Sequence, residues 1–351
     1  MEPILIDGSK GGQVLRSAIG LSALTQKPVK IEKIRLLREK PGLQPQHLTA
    51  VQLLSQLCAG KVQGAVLNSQ TVLFEPQKLV ASQLVANTGT AGSVSLLLES
   101  VLIPSLLVKN KLRLTGGTNV PWSPPIEFLE WVLFPVLKRM GVKCEAELSA
   151  RGYYPKGRGA VIFSTRPAVF PLKPVSLQEA GSLQSVSLVS HCSSLPSTVA
   201  NRQVLSAKKA LSALNVDFVE EVSAKENGYS KGSGLSLFAR FSSGAVLSAS
   251  ALGLTGKTAE AVGLEAAKKL LNQLDLHRPV DMFLADQLVP FMALAKGKSK
   301  LSVTQLDEHV FSNIDVCEKL LDCRFEVTGK VNEPGEIFCQ GATFVPEETI
   351  F

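Results

Sequence analysis

His309 is the residue of this chain that is best suited to covalent or acid–base chemistry, because it is one of only four histidines and lies at a predicted helix start. The apolar segment 300–304 predicts a strand, and a helix is predicted to begin near Ser312. The positive end of a helix dipole favours the neutral imidazole, which leaves a ring nitrogen free to act as nucleophile or base. A capping or partly buried histidine that satisfies loop carbonyls is the alternative interpretation.

A basic loop early in the chain contains Arg35, Arg38 and Lys40 and leads into Gln46 and His47. Forked guanidinium donors beside a helix N-terminus suit a phosphate, since the donors and the helix dipole act on the same anion. A solvated basic loop is the alternative. The Pro-Gly pair after Lys40 predicts a defined turn, which favours the phosphate interpretation.

Three other predicted helix starts carry small or polar residues. Asp286 and Gln287 are predicted to open a helix, where the carboxylate either caps the helix or contacts a metal or ribose near His309. The glycine-rich segment 89–93 either brings backbone amides to a ligand or allows tight helix packing. The segment 116–125 predicts a stiff loop that either walls a base or caps a helix.

The elements that position these loops follow one order three times. Periodicity and turn residues predict helix, strand, helix, strand and strand over residues 11–74, again over 88–163 and again over 283–340. The sequence therefore predicts an α/β fold of three repeated units, each an open sheet with helices packed against it. Three such units can direct their helix starts at one cleft.

Residues 171–278 break this pattern and are predicted to form a smaller α/β domain inserted before the third unit. Prolines mark both ends of this segment, at Pro167, Pro171, Pro174 and Pro279, as expected of a domain placed in a loop of another one. The predicted large domain then comprises residues 1–170 and 279–351.

Composition narrows the classes of function. The 351 residues are 45% hydrophobic, and no apolar run reaches the roughly 18 residues that a membrane span needs, so we expect a soluble protein without membrane contact. The net charge of +7 allows a polyanionic partner. Three tyrosines and two tryptophans argue against an aromatic stacking platform for single strands.

The cellular location is predicted from two negative signals. The first residues do not resemble a secretory signal, and the six cysteines are scattered without Cys-x-x-Cys spacing. Reduced thiols are typical of an intracellular protein. We therefore expect a cytoplasmic location, with a nuclear one also open in a eukaryote.

The chain resembles the RNA 3'-terminal phosphate cyclases along nearly its whole length. The matching motifs, in the family's order, are Ile6-Asp7-Gly8-Ser9, Lys40-Pro41-Gly42-Leu43, Gln46-His47-Leu48-Thr49-Ala50-Val51, Gly89-Thr90-Ala91-Gly92-Ser93, Gly116-Gly117-Thr118, Gly152-Tyr153-Tyr154-Pro155-Lys156-Gly157, Gly256-Lys257 with Glu260, Leu284-Ala285-Asp286-Gln287-Leu288, His309 and Ser312-Asn313-Ile314. The resemblance implies three α/β units related to those of enolpyruvyl transferases, with a smaller α/β domain inserted before the third.

The resemblance also implies an activity that consumes ATP in three steps. ATP adenylylates a histidine, here His309; the AMP passes to the 3'-phosphate of an RNA end; the neighbouring 2'-hydroxyl then forms a 2',3'-cyclic phosphate and releases AMP. A divalent cation, Mg or Mn, is expected to assist.

The resemblance assigns roles to a set of further residues. The implied phosphate-binding residues are Arg16, Arg35, Arg38, Gln46 and His47. The implied nucleotide-binding residues are Gln13, Phe283, Pro125 and Phe128, the last three around adenine, and Asp286 and Gln287 near the ribose or the metal. The metal ligands themselves and the oligomeric state are not predicted.

The chain also departs from the family's pattern. Its first loop, Ser9-Lys10-Gly11-Gly12-Gln13, is shorter than usual and has no glutamate, Leu36 and Leu37 replace small residues, and Val120 and Arg158 replace a polar residue and a glycine. Two alternatives to an active cyclase follow: a catalytically impaired scaffold for RNA processing or ribosome assembly, and an enolpyruvyl-transferase-like enzyme that needs no nucleophilic histidine.

Overall fold

The computed structural model describes residues 1–225 and 228–346, and within them sixteen strands form four four-stranded sheets. Three of these sheets share one topology. In each, the first strand of the unit pairs parallel with the second, the second pairs antiparallel with the fourth, and the fourth pairs antiparallel with the third. The predicted α/β class and its three repeated units are therefore confirmed.

The first unit packs two helices against one face of its sheet. Its elements are β1 (Ile4–Asp7), α1 (Gly12–Thr25), β2 (Val29–Glu32), α2 (Pro45–Leu57), β3 (Lys61–Gln63) and β4 (Val72–Glu75). Burial alternates along β2 and β4, because successive side chains of a strand point to opposite faces of the sheet.

The second unit repeats this order with a longer second helical segment. Its elements are β5 (Ser82–Asn87), α3 (Val94–Leu102), a 3-10 turn (Pro104–Leu106), β6 (Asn110–Gly116), α4 (Ile126–Phe128), a π-helical turn (Leu129–Leu133), α5 (Phe134–Met140), β7 (Lys143–Ala150) and β8 (Gly159–Arg166). Ser93 precedes α3 and caps it, since its hydroxyl accepts a hydrogen bond from the Leu96 amide.

The segment that follows contains the fourth sheet. After β9 (Ser176–Leu177) come β10 (Leu183–Ser193), α6 (Thr198–Leu211), β11 (Asp217–Lys225), β12 (Gly232–Phe241), β13 (Val246–Leu252) and α7 (Ala259–Leu274). The strands β10 to β13 form a sheet in the order β11-β10-β12-β13, and a separate hydrophobic cluster lies between this sheet and its two helices.

The third unit is split by this inserted segment. Its remaining elements are α8 (Met282–Leu294), β14 (Lys298–Val303), α9 (Glu308–Leu320), β15 (Arg324–Thr328) and β16 (Gly335–Gln340). The short strand β9 pairs parallel with β14 and so belongs to the third sheet, although it precedes the insertion. The proposed division into residues 1–170, 171–278 and 279–351 stays a prediction.

Each unit begins with a strand that the sequence did not predict, namely β1, β5 and β9. In β5 only Ala86 is fully buried, and β9 has two residues, so neither gives a readable hydrophobic pattern. The observed unit is therefore strand, helix, strand, helix, strand, strand.

The helices of the three units meet in the centre of the large core. Helix α1 contacts both α3 and α9, and α9 also contacts α8. The helix starts of the three units can therefore share one site. None of the helices in residues 1–225 and 228–346 has the length and hydropathy of a membrane-spanning segment. The six cysteines are free, as predicted.

Candidate active site

His309 lies in the first turn of α9, which begins at Glu308 and not near Ser312 as predicted. The helix starts earlier because Asp307 caps it, with Oδ1 accepting a hydrogen bond from the Val310 amide. The other oxygen of Asp307 lies 3.3 Å from Nδ1 of His309. The Nδ1 atom of His309 therefore faces a carboxylate, and Nε2 points away from it. The side chain of His309 is 43% exposed.

Asp286 lies on the same side of the imidazole, with Oδ2 3.8 Å from Nδ1 of His309. It occupies the second turn of α8, so it does not cap that helix. The cap is Asp281, whose carboxylate accepts hydrogen bonds from the Leu284 amide and from the amide and hydroxyl of Ser248. The capping interpretation of Asp286 was therefore wrong, and its carboxylate instead contacts His309 and Asn313.

A buried hydrogen-bond network joins all three units beneath His309. Asn313 on α9 is its centre: its amide nitrogen donates to Asp286, and its oxygen accepts hydrogen bonds from Ser17 and from Gln13 at 3.3 Å. Arg16 donates to Gln13 and, through Nε, to Glu99 on α3 at 3.0 Å. Helices of three separate units thus fix the position of one histidine.

The carboxyl groups of this network are unusually reluctant to ionise. Burial raises the pKa of Asp286 well above its usual range, and the nearby Glu99 and Asp307 carboxylates raise it further. Burial also raises the pKa of Glu99, although Arg16 opposes the shift. Asp286, Glu99 and Asp307 lie close enough together that a charge on one of them disfavours the ionisation of the buried pair, Asp286 and Glu99.

Three arginines gather at the start of α1. The guanidinium of Arg38 lies against Gly11, with Nε donating to the Lys10 carbonyl at 3.1 Å. Burial lowers the pKa of Arg35, and the charges of Arg38 and Arg16 add to the effect. The Nε of Arg35 is buried without a hydrogen-bond partner in the described part of the chain. An anion bound beside Arg35 would offset the cost of burying this unpaired positive charge.

Helix α1 offers further donors at the same place. Its N-cap residue is Gly11, which has no side chain to bond to the first amides of the helix, and the first turn of α1 contains no acidic residue. The backbone amides at a helix start are unsatisfied and lie at the positive end of the dipole. We call these amides, together with Arg35 and Arg38, the anion-binding corner, because such a set of donors is suited to a phosphate.

His47 closes this corner from the side of α2. Its Nδ1 accepts a hydrogen bond from the Gln44 amide at 3.2 Å, and a Cβ added at Gly12 would lie 2.1 Å from its Nε2. Burial lowers the pKa of His47 to about 3, with Arg16 and Arg35 contributing. His47 is therefore neutral, and its Nε2 carries the proton and acts as a donor.

Gln46 has a structural partner across two units. Its Oε1 accepts a hydrogen bond from the Ser93 amide at 2.7 Å, so it fixes the start of α3 next to His47. The glycine-rich segment before Ser93 packs tightly there, since a Cβ at Gly92 would lie 3.1 Å from that of Gln46. This contact favours the packing interpretation of residues 89–93.

The three residues expected around adenine are only partly accessible. Phe128 is fully buried in the large core and Pro125 is also buried. Phe283 is half-buried and meets Phe128 edge-on, with ring centroids 6.0 Å apart. Of the three, Phe283 alone presents surface to a ligand, and the other two support it.

Gln287 lies in the interior, where it lines a cavity of about 20 Å³ together with Gln13, Arg16, Glu99 and Asn313. Its Oε1 has no hydrogen-bond partner within residues 1–225 and 228–346. A side chain in this buried position is better placed to support the hydrogen-bond network around Asn313 than to contact an exposed ribose.

The described residues contain no group of three His, Cys, Asp or Glu side chains arranged to hold a metal ion. Asp286 and Asp307 are the carboxylates nearest to His309. One or two carboxylates combined with substrate phosphates are a common way to bind Mg²⁺. The residues present therefore fit a cation that arrives with a nucleotide, and not a protein-only metal site.

Two residues of this site were not predicted from the sequence. Glu99 interrupts an otherwise apolar segment, and a lone charge in a buried helix is a signal for a functional or paired residue. Asp307 stands three residues before Val310, the spacing of an N-cap. Both signals could be read from the sequence in retrospect.

Comparison with known proteins identifies the family to which this chain is similar. The family model for RNA 3'-terminal phosphate cyclase matches residues 7–327. An RNA 3'-terminal phosphate cyclase of Desulfurococcus amylolyticus is 37% identical over 99% of this chain and 100% of the relative. Those of Thermococcus gammatolerans and Pyrobaculum neutrophilum are 40% and 42% identical over 96% and 92% of this chain, and over 98% and 94% of the relatives.

Among solved structures, the enolpyruvyl transferase NikO from Streptomyces tendae matches 96% of this chain and 82% of its own, with 9% identity and a TM-score of 0.20. A score this low carries no structural comparison. The family match and the identities do not depend on it. The chain therefore belongs to the RNA 3'-terminal phosphate cyclase family.

Proposed function

We propose that this protein converts the 3'-terminal phosphate of an RNA into a 2',3'-cyclic phosphate at the expense of ATP, through a covalent AMP on His309. The observation that carries the proposal is the exposed imidazole whose Nδ1 lies 3.3 Å from a carboxylate oxygen of Asp307. Membership of the cyclase family supports the class of reaction.

In the first step, Nε2 of His309 attacks the α-phosphate of ATP. A phosphorus–nitrogen bond forms, and the bond to the β-phosphate oxygen breaks, so that pyrophosphate leaves. Attack through Nε2 places positive charge on the ring, which the carboxylate of Asp307 stabilises by holding the Nδ1 proton. Asp286 lies on the same side of the ring, with Oδ2 3.8 Å from Nδ1.

In the second step, an oxygen of the RNA 3'-phosphate attacks the phosphorus of the bound AMP, and the phosphorus–nitrogen bond breaks. In the third, the 2'-hydroxyl attacks the 3'-phosphorus, loses its proton, and AMP leaves with the bridging oxygen. Each step concentrates negative charge on phosphate oxygens, so hydrogen-bond donors, whether cationic or neutral, stabilise it. We assign this role to Arg35, Arg38 and the neutral donor His47.

The nucleotide is expected to lie between the two groups of residues. Phe283 offers a face for adenine, with Phe128 and Pro125 behind it. Arg16, Gln13, Gln46 and Gln287 hold the site's shape through their contacts with Glu99, Asn313 and Ser93. A divalent cation, Mg or Mn, would supply charge neutralisation of the triphosphate. We also expect an intracellular location.

Incubation with ATP labelled on the α-phosphate tests the proposal. The wild-type protein should acquire covalent label in the presence of a divalent cation, and His309→Ala should acquire none. An RNA with a 3'-phosphate should become resistant to phosphatase only with the wild type. The imidazole is 43% exposed, so the variant should fold, which circular dichroism checks.

Failure of the wild-type protein to take up label, under conditions in which it binds RNA, would instead favour the impaired scaffold. Activity that persists in His309→Ala would favour the enolpyruvyl-transferase-like alternative. The network from Glu99 to His309 supports the cyclase, because a scaffold has no need to order three units around one imidazole.

A further inference from the structure

Three of the five tryptophan and tyrosine residues of this chain are largely exposed. Trp122 is 96% exposed, Tyr154 is 71% exposed and Tyr229 is 66% exposed. All three lie in loops between strands or before a helix. Large aromatic side chains on a surface usually mark a site of interaction when they cluster.

Hydrogen bonds to main-chain groups hold these three loops together. The Tyr153 amide donates to Oγ of Ser230 at 3.0 Å, and that hydroxyl donates to the Tyr153 carbonyl at 2.9 Å. Tyr154 and Tyr229 are the sequence neighbours of this bonded pair. The amide of Asn119 donates to the carbonyl of Gly152 at 3.2 Å, which brings the loop that carries Trp122 beside the same hairpin.

The same loops carry exposed positive charge. Lys156, Arg158 and Lys231 are exposed, and none of them has an ion-pair partner in the described ranges. We call Trp122, Tyr154, Lys156, Arg158, Tyr229 and Lys231 the aromatic–basic surface. Beside it, between the second unit and the inserted segment, lies a cavity of about 250 Å³ lined in part by Arg151 and Tyr229.

This surface continues from the candidate active site. A Cβ at Gly157 would lie 2.5 Å from the carbonyl oxygen of Thr90, so the hairpin that carries Tyr154 packs on the segment before α3. That segment is fixed at Ser93 by Gln46, the residue next to His47. The anion-binding corner and the aromatic–basic surface therefore lie at the same end of the sheets.

We propose that the aromatic–basic surface binds the single-stranded nucleotides of the RNA that precede its terminal phosphate. The inference rests on the proposed function, since it names where the rest of that substrate lies. Aromatic rings stack on bases of any sequence, and lysine and arginine neutralise the phosphates between them. The low aromatic content argued against such a platform, but the fold gathers most of the tyrosine and tryptophan side chains at one place.

Binding measured by fluorescence anisotropy tests this without any turnover. The probes are a labelled single-stranded RNA of about ten nucleotides and a labelled dinucleotide, both with a 3'-phosphate. The triple variant Trp122→Ala, Tyr154→Ala, Tyr229→Ala should bind the longer RNA at least about tenfold more weakly. Its affinity for the dinucleotide and its labelling by ATP should not change.

Two controls separate stacking and charge from general damage. Trp122→Phe with Tyr154→Phe and Tyr229→Phe keeps the rings and should retain affinity for the longer RNA. Lys156→Glu with Arg158→Glu should weaken binding of the longer RNA and flatten its salt dependence. Lys109→Glu with Lys111→Glu makes the same charge change at the opposite end of β6 and should have no such effect.

Equal affinity of the wild type and the alanine variant for the longer RNA would overturn the inference. A protein partner would then be the remaining candidate to bind this surface. The two proposals fail separately. A wild type that takes up no AMP but loses RNA affinity in the alanine variant contradicts the cyclase function alone. A wild type that takes up AMP and shows no preference for the longer RNA contradicts the RNA-binding surface alone.

Discussion

Asp307 serves the helix and the imidazole of His309 with different oxygens. Its Oδ1 accepts a hydrogen bond from the Val310 amide at 3.0 Å, and its Oδ2 lies 3.3 Å from Nδ1 of His309. The residue that starts α9 therefore also orients the proposed nucleophile. An N-cap at this position makes the imidazole's orientation a consequence of helix formation.

Two substitutions separate these roles of Asp307. Asp307→Asn keeps an oxygen that caps α9 but removes the charge beside Nδ1, so the rate of AMP transfer to His309 should fall about 10- to 100-fold with little change in stability. Asp307→Ala should lose the same activity and also about 1 kcal/mol of stability. Single-turnover labelling and urea unfolding measure the two effects. Normal labelling by the asparagine variant would rule out the orienting role.

The contact between Gly12 and His47 predicts a non-additive pair of mutations. Gly12→Ala places a Cβ where the imidazole lies, 2.1 Å from Nε2, so it should destabilise the protein by about 2 kcal/mol despite the better helix propensity of alanine. In a His47→Ala background the clash disappears, and Gly12→Ala should cost nothing further or stabilise α1. Urea unfolding of the four proteins in this cycle measures the coupling, and strict additivity would contradict the contact.

We expect phosphate binding at the anion-binding corner to depend on the forked shape of Arg35 more than on its charge. Arg35→Lys keeps the charge but loses the planar donors, so the Kd for ATP should rise about tenfold. Lys33→Gln removes a charge from the same loop, where its amine pairs with Asp7 at the surface, and should leave the Kd nearly unchanged. Calorimetric titration with ATP measures both. A larger effect from Lys33→Gln would indicate general electrostatics and not a specific phosphate contact.

Stability should fall in mild acid because two histidines are buried and neutral. Burial lowers the pKa of His47 and of His191 to about 3, from an ordinary value of 6.5. As pH falls from 6.5 toward 3, the unfolded chain takes up protons that the folded protein refuses, so stability is complete above pH 6.5 and is lost below it. Each histidine contributes roughly 1.4 kcal/mol per pH unit in this window.

His191→Gln tests this dependence, since His191 bonds to Tyr153 and Asn119 and lies outside the candidate active site. The free energy of unfolding of the variant should change less between about pH 7 and pH 5 than that of the wild type, by roughly 1.4 kcal/mol per pH unit. His277→Gln, at an exposed position, is the matched control. Equal slopes for the wild type and His191→Gln would exclude the buried neutral histidine as the cause.

The sequence predicted the repeated units well because their helices and central strands carry clear hydrophobic periods. It missed the first strand of each unit. The strands β1 and β5 each bury a single residue and β9 has only two residues, so none of them shows a clear hydrophobic pattern. It also placed the start of α8 at Phe283, with Asp286 in its first turn. The helix begins at Met282, and Asp281 caps it by accepting a hydrogen bond from the Leu284 amide.

For the candidate site, sequence reasoning found the residue types but not their accessibility. Phe128 is buried in the core, and the side chains of Gln46 and His47 accept hydrogen bonds from the amides of Ser93 and Gln44. The link from Glu99 through Arg16 and Gln13 to Asn313 depends on helix packing between units. Such packing is set by tertiary structure, which no local pattern encodes.

The split of the third unit has a consequence for biosynthesis. Ser176 pairs with Lys300, so the third sheet cannot form until the ribosome has synthesised the entire intervening segment. The first two units and the inserted sheet contain their own strands and can form during translation. The proposed nucleophile, His309, therefore reaches its final position last, after the first unit that carries Arg35 and Arg38 has been synthesised.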